Sequence, residues 1–144
     1  MENNAEERQI KSLKRIIKNL DKEIGNLTIE KNTLINVINI LNAKLTNLLA
    51  EIEEEKKLSK EFLIFGFDKF FELSKTKMQK INEEKELNIS QLNLLIDDLK
   101  EKYDEQKKYE NLLDKSNSRI KYLHNQNEQK KLDELAQQKR DYKF

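Results

Sequence analysis

The sequence predicts an all-α protein: a long antiparallel two-helix coiled-coil hairpin whose second helix overhangs at its C-terminal end. Three observations predict it. Apolar residues recur at alternating spacings of three and four over residues 10–52. The chain has no proline and only two glycines, so almost nothing punctuates a helix. The heptad breaks once, near the middle, between Leu58 and Asp68.

The first helix is read from about Ala5 to Lys57. Its stripe is Ile10, Leu13, Ile17, Leu20, Ile24, Leu27, Leu34, Ile38, Leu41, Leu45, Leu48 and Ile52, interrupted by Lys31. Seven residues span nearly two helical turns, so these side chains share one face. A helix of this length runs about 80 Å at 1.5 Å per residue. Gly25 lies off the stripe and reads as a tolerated surface glycine.

The connection is placed at about 58–68, within LSKEFLIFGFDKFF. Gly66 falls there, and Ser59 and Asp68 are both candidate N-caps. The second helix follows, from about 69 to 142. Its stripe is patchier, with Phe71, Met78, Ile81, Leu92, Leu95, Leu99, Tyr109, Leu113, Ile120 and Leu123. Polar Ser74, Lys85, Asn88, Lys102, Gln106 and Ser116 hold the intervening seam positions. The whole chain, 1–144, reads as one coiled-coil domain.

Two partners compete for the helix-1 stripe. Ile at position a with Leu at position d favours a parallel two-stranded coil with a second copy. Pairing with helix 2 gives a hairpin, and a single central break is the pattern of a hairpin. With the tip near residue 61, Ile52 faces Phe71, Leu41 faces Ile81 and Ile10 faces Leu113. Residues after about 123 then extend beyond helix 1 as a single helix. Apolar Ile35, Val37, Ile40 and Leu49 leave the seam, and Phe62, Phe65, Phe67, Phe70 and Phe71 crowd the tip. These residues cap the tip as a local core or dock another protein.

Composition narrows the function. Charged residues make up 38% of the chain, but 28 basic residues stand against 27 acidic ones, a net charge of +1. No basic face marks a nucleic-acid binder. No run approaches the roughly 20 apolar residues of a membrane span, and the charged N-terminus lacks a signal-peptide core. A cytosolic protein is expected. Cysteine is absent, and His124 is the only histidine. No catalytic, cofactor or metal constellation emerges: His124 reads as a solvated surface residue and Glu51, Glu53, Glu54 and Glu55 as a solvated face. The chain is not expected to be an enzyme.

The tail reads NQNEQKKLDELAQQKRDYKF. Its run Gln129, Lys130, Lys131, Leu132, Asp133, Glu134, Leu135 and Ala136 resembles the C-terminus of the FliJ family of flagellar export proteins. The family's aromatic-x-x-Phe-aliphatic element resembles Phe67, Phe70 and Phe71. The resemblance implies an antiparallel coiled coil of the kind found in rotary ATPase stalks. It implies that Gln129–Ala136 meet the central hole of a hexameric export ATPase. Phe67, Phe70 and Phe71, with Ile40 facing them from helix 1, would touch the cytoplasmic domain of the export gate. Export chaperones complete the implied partners, and the implied location is cytoplasmic, peripheral at the inner membrane through the export apparatus. Helix 1 has no tyrosine, whereas the family often carries tyrosines on its gate-binding face. Needle-type secretion stalks share the architecture. The other readings are a structural dimeric spacer, a prefoldin-like holdase, for which the connection is too short, and a membrane-surface helix, which lacks the basic face.

Overall fold

The computed structural model describes residues 2–62 and 66–141. Two helices make up the fold, α1 (Glu2–Phe62) and α2 (Phe67–Asp141), packed antiparallel as a hairpin. The seam forms because an apolar stripe on each helix removes the other's from water, which is the main source of stability for helices this rich in charge.

The connection is shorter than the heptad break implied. Residues 58–62 continue α1, and α2 begins at Phe67 rather than at 69. Neither Ser59 nor Asp68 is the N-cap. Gly66 takes that place: the Phe70 N–H donates to the Gly66 carbonyl at 3.1 Å, closing the first turn of α2. Gly66 has φ 112°, a backbone conformation that side-chain-bearing residues rarely adopt. Asp68 lies inside the first turn, where its charge complements the helix dipole, and Lys139 and Arg140 do the same at the other end. The predicted extension of the second helix to Tyr142 lies outside the described residues, as does Phe65.

By contacts the chain divides into two compact units, one of Met1–Ile24 with Glu101–Phe144 and one of Gly25–Lys100, where the sequence reads as a single domain. In the first unit Leu13, Leu20 and Ile24 are buried, with Ile10, Ile17, Tyr109, Leu113, Ile120 and Leu123 half-buried around them. In the second, Leu41, Leu48, Ile52 and Leu99 are buried, flanked by half-buried Leu27, Leu34, Ile38, Leu45, Met78, Ile81, Leu92 and Leu95. The polar seam residues sit where the heptad puts them. Ser74 and Ser116 are buried, and Lys85, Asn88, Lys102 and Gln106 are half-buried. Asn88 satisfies itself by donating to the Glu84 carbonyl of its own helix at 2.8 Å. Lys31, the break in the helix-1 stripe, is half-buried too.

Two placements differ from expectation. Phe71 is 40% exposed rather than a seam residue, its ring stacked on Phe67 one turn earlier at 6.0 Å. The register is also displaced. Glu6 pairs with Arg119, Asp21 with Gln106 and Glu23 with Lys102. A tip at residue 61 would have set each helix-1 residue opposite a slightly earlier residue of α2. The cause is the turn itself, which lies between Phe62 and Phe67 rather than around residue 61.

Candidate functional site

The heptad of α2 explains why its last stretch is solitary. Leu123 is the last half-buried residue, and every described residue from His124 to Asp141 is exposed. Continuing the seam by threes and fours from Leu123 reaches Asn127, Lys130, Glu134 and Gln137, all polar. The apolar residues of this stretch, Leu132 and Leu135, lie roughly half a turn away on the other side of the helix, since each residue rotates it by about 100°. They are 60% and 57% exposed. The stretch therefore does not prolong the hairpin seam; it presents a separate apolar face.

The eight tail residues singled out in the sequence, Gln129 to Ala136, all lie on this exposed helix. Gln129 donates to the Asp133 carboxylate one turn on at 3.4 Å, and His124 stands 3.3 Å from Glu128. Tyr122 accepts from Gln126 at 2.9 Å. These i,i+4 contacts support an isolated helix by a few tenths of a kcal/mol each. Lys130 and Lys131 are followed within one turn by Asp133 and Glu134, so the segment carries both signs.

At its base lies an ion pair the sequence reasoning missed. Glu6 is 8% exposed and bonds Arg119 Nη1 at 2.8 Å through Oε1, while its buried Oε2 has no hydrogen-bond partner. The signal was available: one heptad before Leu13 is position 6, so the stripe extrapolates onto a carboxylate. Arg119 itself is 66% exposed along its side chain.

The second candidate set does not come together. Phe67 and Phe70 are half-buried and Phe71 exposed in the first turns of α2, whereas Ile40, 57% exposed, lies far down α1. At 1.5 Å per residue, Ile40 is roughly 25 Å from the phenylalanines along the hairpin. Ile40 therefore does not face the aromatic element; even a tip at residue 61, which sets Leu41 opposite Ile81, leaves it well down the hairpin from Phe71. The side chain of Phe62 lies outside the described residues. Of the off-seam apolar residues, Ile35 and Val37 are half-buried and Leu49 is 54% exposed.

In the unit of residues 25–100 the helices leave an open groove of about 440 Å³, lined by Ile29, Glu30, Thr33, Leu34, Gln91 and Leu95. Glu30 is its only ionisable residue. Among the described residues no group of three or more His, Cys, Asp or Glu is arranged to hold a metal ion. No described helix is long and apolar enough to cross a membrane. No family model matches the chain, and neither a curated protein nor a solved structure matches it.

Proposed function

We propose that this chain is a non-enzymatic stalk of the flagellar type III protein export apparatus. Its solitary C-terminal helix enters the hexameric export ATPase ring and promotes ring assembly and activity. Other surfaces link the ring to the export gate and to export chaperones, which holds the protein at the cytoplasmic face of the inner membrane. The observation that carries this reading is the continuation of α2 beyond the last seam residue as an exposed helix bearing Gln129–Ala136, the run that resembles the FliJ tail. Exposed Leu132 and Leu135 supply the apolar contact, and Lys130, Lys131, Asp133 and Glu134 supply charges of both signs for a polar rim. A single helix has no six-fold symmetry. Inside a six-subunit ring it meets unequal neighbours, and it biases which subunits close on ATP without performing chemistry.

The rival reading, a parallel dimeric spacer, draws on the Ile-a, Leu-d pattern of helix 1. That stripe is covered by α2 in the hairpin, so the rival requires the hairpin to open.

The test is titration of the full chain into the export ATPase of the same organism, following ATP hydrolysis. A saturable rise that disappears on removing 125–144, with helicity of the remainder retained, supports the stalk. Hydrolysis that ignores the full chain, or stimulation that survives the truncation, sinks it.

A further inference from the structure

The outer face of α1 carries a second heptad that the hairpin does not use. Ile29, Thr33, Asn36, Ile40, Ala43 and Asn47 follow spacings of four and three, on the side of α1 turned away from the seam, and all are exposed. Ile29 and Ile40 are 66% and 57% exposed. Between Asn32 and Ala50 the only charged residue is Lys44, in a chain that is 38% charged. The corresponding face of α2 does not share this property. There Leu73, Leu87 and Leu94 alternate with Lys80, Glu83 and Asp97. Loss of charge over one continuous stripe is the mark of the core of a protein interface.

We infer that this stripe is a homotypic interface, on which α1 of a second copy packs antiparallel. Charge selects a copy of the same chain. The stripe has no charge to repel its own image, and the net charge of +1 keeps copies from repelling at a distance. The Thr33 hydroxyl already donates to the Ile29 carbonyl at 3.0 Å, so it needs no partner when covered. The rim sets the direction. Glu30 and Lys44 border the stripe on one side, two heptads apart. Parallel packing would align Glu30 with Glu30 and Lys44 with Lys44. Antiparallel packing that sets Asn36 beside Ile40 of the second copy instead brings Lys44 next to its Glu30. Ile29, Glu30 and Thr33 also border the open groove with Leu34, Gln91 and Leu95, which gives the incoming helix a recess beside the stripe. From Ile29 to Ala50 the contact is roughly 30 Å long. One helix pair of that length is small beside a standard interface, so the dimer is weak, with Kd on the order of 10 μM.

Sedimentation equilibrium of the full chain, from about 1 to 300 μM, tests this. The expected result is a monomer–dimer equilibrium that Ile40→Glu and Ala43→Glu each weaken about tenfold or more, a step of 1.4 kcal/mol. Leu94→Glu on α2 should leave it unchanged. All three positions are exposed or bear no seam contact, and circular dichroism confirms that the hairpin is retained. Monomer at every concentration overturns the inference, as does a dimer indifferent to both α1 variants or one lost equally in Leu94→Glu. A persistent monomer that floats with phosphatidylcholine vesicles assigns the stripe to a lipid surface instead. The outcome is independent of the ATPase titration, which reads residues 125–144.

Discussion

The two glycines allow the same substitution to be made in two backbone states with the surroundings held equal. At both Gly25 and Gly66 an added Cβ meets nothing within 4 Å, so neither sterics nor packing enters. Gly25 sits inside α1 on its exposed side. Alanine there removes the glycine's conformational entropy and should stabilise by about 0.8–1 kcal/mol. Gly66 holds φ 112° at the start of α2, where an L side chain is strained; alanine should cost about 1–2 kcal/mol. Both residues belong to the unit of residues 25–100, so one unfolding transition reports on both. For a chain of this length each kcal/mol moves Tm by roughly 2–4 °C. Gly25→Ala should therefore raise Tm by about 3 °C and Gly66→Ala lower it by about 4 °C. Urea unfolding monitored at 222 nm, with unchanged m-values, would show that the surface exposed on unfolding is the same in both variants. A destabilising Gly25→Ala would mean that α1 is not continuously helical there. A neutral Gly66→Ala would mean that the turn does not use the positive φ. Either result refutes the argument at a named bond.

Other perturbations follow from the same contacts. Glu6→Leu should stabilise the first unit by about 1–2 kcal/mol: it removes a buried oxygen without a partner and adds seam burial. The exposed Arg119 it releases returns to water, so little is lost with the ion pair. Thermal melts would show it, and a lower Tm would mean the pair matters more than its exposure implies. Leu41→Ala, at a residue 3% exposed, should cost about 2–4 kcal/mol, read by urea titration. Leu132→Asp with Leu135→Asp should leave the melt unchanged, because both side chains are exposed, while abolishing the ATPase stimulation that the proposed function expects.

Much of this fold was legible because a coiled coil writes its tertiary contacts into a one-dimensional period. The stripe residues from Ile10 to Ile52 are buried or half-buried. Even Ser74, Lys85, Asn88, Lys102, Gln106 and Ser116, which no hydrophobicity scale would choose, occupy the seam the spacing assigned them. The period does not encode phase at the turn. Register depends on how many residues the connection consumes, and that was decided by Gly66 acting as the cap rather than Ser59 or Asp68. The placement of Ile40 beside the phenylalanines came from the family resemblance and not from the register, which set neighbouring Leu41 opposite Ile81. The exposed tail was readable from the loss of apolar residues at Asn127, Lys130, Glu134 and Gln137. The chemistry that such a face would recognise is less legible: an exposed helical face encodes a partner far more loosely than a buried one.

Lys31 gives the seam its remaining question. The Ile-a, Leu-d stripe of helix 1 is well suited to a parallel dimer with its own copy, yet α2, with its polar seam, occupies it. Two effects favour the hairpin. The connection between Phe62 and Phe67 holds α2 at an effective concentration in the millimolar range. And a parallel homodimer would set two Lys31 ammonium groups side by side at position a, whereas the hairpin contains one, half-buried, and a long lysine side chain in that position can extend its head to water. Like charges at that spacing cost about 1 kcal/mol or more, according to how far they are desolvated. A peptide of residues 2–57 lacks α2 and should therefore dimerise in parallel, and Lys31→Ile should tighten that dimer about tenfold. In the full chain Lys31→Ile should leave the hairpin intact, because tethering exceeds the repulsion removed. Sedimentation of the two peptides, with fluorophores at their N-termini to report strand direction, decides it. Equal affinities would show that Lys31 is not what directs helix 1 toward α2, and would transfer that role to the polar cross-helix pairs of Glu6, Asp21 and Glu23.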